Sequence, residues 1–190
     1  MLIRLQICKI ILIFAITILL LSLSIFIYLN IKINISINGN KIVIEQFNNI
    51  FKTSNLEYSN EEIKNIPKLE LNGTDYIGII NIEEYGLILP VQNICNNNIL
   101  DTTSACNYTS KTFTILGTNL KNSFNSYKSY NVNDKVIFTN ALGEKYLYKI
   151  EKIKRVEEIN EISQYNDASL IIVVKNYYDM NYVLFICDTY

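Results

Sequence analysis

The chain contains no histidine, so any chemistry near neutral pH must proceed without the usual general base, proton shuttle or zinc ligand. The intrinsically reactive side chains that remain are four cysteines, Cys8, Cys95, Cys106 and Cys187. A cysteine is nucleophilic only as its thiolate, and that needs an activating base or cation beside it. Cys187 closes the apolar run from Tyr182 to Ile186, and its plain reading is a small buried core residue. Cys95 and Cys106 flank the polar stretch NNNILDTTSA. A disulfide across that loop, a Cys106–Cys187 bridge and a reduced pair are all open on sequence alone. Cys8 has no lipidation signal around it and reads as a membrane-facing thiol. Glu83-Glu84, Glu157-Glu158 and Glu161 lack the spacing of a calcium loop or of a paired-carboxylate site, so they read as solvated faces, and neither metal nor cofactor is expected. With 17 Lys and Arg against 18 Asp and Glu, nothing favours nucleic acid as a partner. Among 14 tyrosines, the group Tyr127, Tyr130, Tyr177, Tyr178 and Tyr182 is a candidate lining for a peptide groove, against the plainer role of packing sheet edges.

Two kinds of element must carry these residues. Ile10 to Leu29 runs without a charge, which matches the ~20 residues a helix needs to cross a bilayer. The run exceeds the ~7–15 apolar residues of a cleavable signal and lacks a small-x-small cleavage site, so an anchor is expected. Arg4 and Lys9 precede it, which favours a cytoplasmic tail at residues 1–9, a span at 10–29 and an outward-facing remainder. Residues 30–74 read as a stalk or connector. Ile31 to Ile37 alternates as a strand would, Asn38-Gly39-Asn40 breaks the pattern, and a Ser59-x-x-Glu62 capping box predicts a short helix ending near Pro67.

From Tyr76 onward the chain turns to short β-rich runs separated by turn residues: YIGIINI, LILPV, TFTILG, KVIFT, KYLYKIEKI, SLIIVV and YVLFI. They predict an all-β barrel or sandwich over 75–190. Lys135–Thr139 and Lys145–Ile153, joined across residues 140–144, predict a β-hairpin. The continuous apolar run SLIIVV predicts a central strand buried on both faces.

The order of these segments resembles the sortase family of Gram-positive cell-surface transpeptidases, from about Tyr76 to Asp188. Tyr76 to Ile82 followed by Gly86 to Val91 is similar to the family's opening "GxIxIPxxGxxLPV" strands. Val132 to Phe138 and then Gly143 to Ile150 resemble its "xxGDxVxVxxxxGxxYxYxV" hairpin. The resemblance implies a closed, sortase-like barrel of about eight strands behind an N-terminal membrane helix. It also implies a thiol transpeptidase chemistry built on a His, a Cys and an Arg.

The three positions that match those catalytic residues hold other side chains. Phe113 to Asn119 resembles the strand that ends in the family's His, with Thr118 in its place. Leu170 to Lys175 resembles the strand that ends in the nucleophilic Cys, with Lys175 in its place, and Tyr182 stands where the Arg belongs. A hydroxyl does not exchange protons as imidazole does, and a phenol has one donor where guanidinium has a charged fork. Acylation of a lysine gives a stable amide, so a cycle that needs a labile thioester stops. The expectation is therefore a non-catalytic sortase-like protein at the outer face of the cell membrane, binding a peptide sorting signal, a cell-wall component or a surface protein. Two alternatives stand beside it: a divergent cysteine transpeptidase or hydrolase using a relocated Cys187, and an unrelated bitopic envelope protein.

Overall fold

The computed structural model describes residues 2–51, 66–95 and 104–190. They fall into two compact units, residues 1–35 and 36–190. In the first, helix α1 (Leu2–Phe51) carries the apolar run, with a mean hydropathy of 3.1 over its most apolar window. That length and composition suit a single pass through a membrane.

Helix α1 continues through Phe51, which corrects the expected strand and turn at residues 31–40. A period-two pattern of Ile with Lys or Asn favours strand locally, and Gly39 costs a helix about 1 kcal/mol. Packing outweighs both preferences. Val43, Phe47 and Phe51 recur every fourth residue, and all three are buried against Tyr76, Ile79 and Ala141 of the β-domain. Phe47 is fully buried and meets the Tyr76 ring edge-on, with centroids 6.4 Å apart. The Ser104 hydroxyl lies 3.1 Å from the Asn40 side-chain oxygen, which ties the same helix to the start of a strand. The helix expected from Ser59 lies outside the described residues.

The β-domain contains strands β1 (Leu69–Leu71), β2 (Thr74–Ile82), β3 (Leu87–Gln92), β4 (Ala105–Asn107), β5 (Thr114–Thr118), β6 (Lys135–Asn140), β7 (Lys145–Val156), β8 (Leu170–Lys175) and β9 (Tyr182–Thr189). Their order is β1-β2-β3-β4-β5-β8-β9-β7-β6, and β2 also pairs with β6. That last pairing closes an eight-stranded barrel from β2 to β9, with β1 added as a flap on β2. Closure leaves the barrel strands no free edges. The β3–β4 and β5–β8 pairs are parallel, and the others are antiparallel.

All seven β-rich runs of the sequence become strands. The hairpin falls at β6–β7, with the Asn140 side chain accepting the N–H groups of Leu142 and Glu144 inside its turn. β1 and β4, each only three residues long, fall below the length at which alternation is detectable. β1 nevertheless has a signal: Asn72-Gly73 joins it to β2, with φ of 53° and 75°, as a type I′ turn requires.

Side-chain alternation sorts the core into layers. Ile80, Val91, Phe138, Ile150, Ile172 and Phe185 belong to the main cluster that fills the barrel. Leu116, Ile171, Val173 and Leu184 point the other way and are covered by Ile162, from the 3-10 segment Ile159–Tyr165. Strand β8 thus contributes Leu170, Ile172 and Val174 to the inside and Ile171 and Val173 to the outside. This is the doubly buried strand expected from its continuous apolar run.

One glycine determines whether the ring can close. Gly78 sits where β2 is paired with both β3 and β6, and a Cβ there would lie 2.1 Å from the Thr139 carbonyl oxygen. Only a residue without a side chain admits that approach.

Candidate functional site

The fold assembles three residues that lie far apart in sequence. Thr118 ends β5 and is the register partner of Lys175 at the end of β8. Lys175 is in turn the register partner of Tyr182 at the start of β9. The three form one row across adjacent strands, in the same alternation as Leu116, Val173 and Leu184 below them. Partners on neighbouring strands stand ~4.5–5.5 Å apart. The row therefore lies on the outer face of the sheet, not in the barrel interior. Thr118 is fully buried, whereas Lys175 and Tyr182 are half-buried.

Local packing fixes the two ends of this row. Gly117 precedes Thr118, and a Cβ at Gly117 would sit 2.4 Å from the ring of the fully buried Phe124. The Phe124 N–H donates to the Thr118 carbonyl at 3.0 Å, so the chain folds back across the end of β5. The turn between β8 and β9 is held by amides. Asn119 Nδ2 donates to Asn176 Oδ1 at 2.9 Å, and Asn119 Oδ1 accepts the Tyr177 N–H at 3.1 Å. Asn176, almost wholly buried, donates from Nδ2 to Asp179 at 2.7 Å and accepts the Tyr178 N–H at 3.1 Å. A buried amide with both ends satisfied rigidifies its surroundings. Sequence reading missed Asn119 and Asn176. Their only signal is an asparagine directly after each of two apolar strands.

Lys175 Nζ lies 5.1 Å from the centroid of the Tyr177 ring, within cation–π reach. No carboxylate pairs with it among the described residues. The row therefore offers an ammonium and a phenol beside a hydroxyl. Such a set attracts and donates to acceptor groups but contains no proton-transfer base for neutral pH and no thiol.

The remaining sequence candidates separate. Cys187 is fully buried among the residues that fill the barrel, on the opposite face of β9 from Tyr182 and roughly 17 Å along the strand by ~3.3 Å per residue. Burial pushes its thiol well above the ordinary range, and the Glu151 charge adds to the shift. Its neighbours in register are Leu170 and Ile150, so it has no activating partner there. Cys95 and Cys106 form a disulfide, which resolves the alternatives left open by the sequence. It links the chain just past β3 to β4, beside the Gln92–Cys106 register pair. The tyrosine group does not form one groove. Tyr127 and Tyr130 are buried in the barrel cluster, with Tyr130 stacked between Tyr85 and Phe185 at 4.6 and 5.2 Å, while Tyr182 belongs to the row, Tyr177 lies against Lys175 and Tyr178 is exposed in the turn between β8 and β9. The Glu157, Glu158 and Glu161 group caps a short helix: Glu161 Oε1 accepts the N–H groups of Glu157 and Glu158. Among the described residues no cluster of acidic, His or Cys side chains suits a metal.

A closed eight-stranded barrel of this order, with an apolar helix before it, is the sortase fold. Sortase D5, a transpeptidase of Clostridium perfringens, superposes with a TM-score of 0.56 at 17% identity, covering 83% of this chain and 99% of that one. Sortase C of the same organism, solved with the C-terminal cell wall sorting motif, gives 0.54 at 15% identity over 79% and 86%. Sortase A from Corynebacterium diphtheriae gives 0.53 at 15% identity over 62% and 61%. At such identities the likeness is one of fold. No protein-family model matches the sequence, and no curated protein matches it.

Proposed function

We propose that this chain is a membrane-anchored sortase-fold protein, facing outward, that binds a peptide or surface protein without turning it over. The observation that supports this reading is that Thr118, Lys175 and Tyr182, the positions the sequence resemblance matches to the family's His, Cys and Arg, are register neighbours and carry a hydroxyl, an ammonium and a phenol. A triad acts as a unit, so replacement of all its members removes the chemistry and not merely part of the rate. The burial of Cys187 inside the barrel weighs against a relocated nucleophile, because a desolvated thiol neither ionises nor meets a substrate. What remains suits recognition: Lys175 and Tyr182 donate to carbonyl or carboxylate oxygens, while Tyr177 and the exposed Tyr178 give aromatic contact. The sorting motif held by the Clostridium perfringens sortase C indicates the kind of peptide to try. Outward orientation follows from Arg4 and Lys9 ahead of the apolar run.

The test uses the full chain in detergent with a fluorescent LPxTG-type peptide. Saturable binding that weakens on Lys175→Ala is expected, with no cleavage and no acyl adduct by mass spectrometry. Turnover that disappears on Cys187→Ala would overturn the reading in favour of a rearranged transpeptidase.

A further inference from the structure

Away from the row, a cavity of about 410 Å³ lies between three segments of the β-domain unit. Helix α1 contributes Ile37, Asn40, Lys41 and Ile44, the turn into β3 and the first half of that strand contribute Tyr85 to Leu89, and the connection from β5 to β6 contributes Asn122, Asn125, Ser126 and Tyr130. Its polar lining is one-sided. Lys41 is the one charged residue of the lining, and no carboxylate takes part. Among the described residues Lys41, Asn122, Asn125 and Ser126 make no side-chain hydrogen bond or ion pair. The Tyr130 side chain is 4% exposed, and its hydroxyl has no partner among the described residues. Leaving a buried hydroxyl unpaired is costly, so the cavity wall itself has an unmet polar group.

Four unengaged polar side chains and a buried orphan phenol around one concave space suit a ligand rich in acceptors, and the lone positive charge selects an anion. We propose that this cavity binds a phosphate-type oxyanion, with Lys41 supplying the charge and Asn122, Asn125 and Ser126 donating hydrogen bonds. The apolar Ile37, Ile44 and Ile88 fit the carbon skeleton to which such a group is esterified. A phospholipid headgroup and a soluble phosphate ester both carry such a group, and they are the two sources to distinguish. This site is independent of the Thr118–Lys175–Tyr182 row.

The experiment titrates inorganic phosphate and glycerol 3-phosphate into the full chain in a neutral detergent, reading amide NMR shifts with asparagine and serine labelled. Saturable shifts at Asn122, Asn125 and Ser126 are expected, with Kd raised roughly tenfold by Lys41→Gln, as loss of a charge-assisted hydrogen bond implies. Lys41 is exposed, and an unchanged far-UV spectrum for that variant establishes that it folds. Asn125→Ala serves as a second, uncharged variant with the same expected direction. Nanodiscs of phosphatidylcholine with phosphatidylglycerol, compared with phosphatidylcholine alone, separate the sources: the same shifts without added phosphate identify the headgroup, and their appearance only on phosphate addition identifies the soluble ester. No saturable shift at these residues in any condition, or an unchanged Kd in both variants, overturns the proposal.

Discussion

Replacing Gly117 with alanine tests whether Phe124 positions the end of β5. The added methyl would lie 2.4 Å from Phe124 Cε2 and 2.5 Å from Cδ2, more than an ångström inside the ~3.5–4.0 Å optimum for carbon contacts. Phe124 is fully buried, so its ring has no free volume to enter, and overpacking of this kind costs about 1–3 kcal/mol. For a chain of this size that lowers Tm by roughly 3–10 °C. Phe124→Leu alone leaves a cavity and is itself destabilising, by about 1–3 kcal/mol. The double variant separates steric conflict from general damage. With the ring gone the methyl has room, so the two losses should be less than additive by about 1–2 kcal/mol. Urea unfolding of the full chain in detergent, followed by near-UV circular dichroism, supplies the cycle. Strict additivity, or no cost for Gly117→Ala, would refute the assignment of Phe124 as the constraint on this strand end.

Gly78→Ala should be more damaging and should not be rescued by trimming any side chain, since the methyl meets the Thr139 backbone carbonyl. Loss of amide exchange protection along β2 and β6 is the readout. Reduction of Cys95–Cys106, which are 11 residues apart, should cost somewhat under ~3 kcal/mol by loop closure, measured as a lower urea midpoint in dithiothreitol. Burial holds the Cys187 thiol and the Tyr130 and Tyr148 phenols above their ordinary values. Groups raised in the folded state stabilise it fully below their unfolded values and lose that contribution at higher pH. Stability should therefore fall above about pH 8.5–10, and Cys187→Val should flatten the first part of that decline in an unfolding series against pH. Thr118→His combined with Lys175→Cys should place an imidazole beside the new thiol, and iodoacetamide kinetics should give that thiol a lower pKa than Lys175→Cys alone. Equal values would mean that the two positions do not converge.

Much of the barrel is legible because its strands are long and apolar. SLIIVV is inside on both faces wherever a closed sheet puts it, and the alternation of Lys135–Thr139 with Lys145–Ile153 leaves few arrangements besides a hairpin. The apolar helix is equally direct, since twenty consecutive uncharged residues match the length that crosses a bilayer. The absence of imidazole is a property of composition alone and restricts the chemistry of the row whatever the fold.

Other features depended on contacts between distant residues. Residues 31–40 look like strand and turn, yet they are helical because Val43, Phe47 and Phe51 gain a buried surface on Tyr76 and Ile79 that no local window contains. The partner of Cys106 was undetermined because a thiol in sequence carries no distance, and the β3–β4 pairing supplied it. The tyrosines divided because the segment between β5 and β6 packs Tyr127 and Tyr130 into the barrel cluster, whereas Tyr177 and Tyr178 fall in the turn between β8 and β9. Thr118, Lys175 and Tyr182 were singled out one by one from the sequence, but only the parallel pairing of β5 with β8 and the antiparallel return of β9 made them neighbours. Residue type sets what chemistry is available, and the strand register sets which residues perform it together, because pairing energy is decided between strands and not along them.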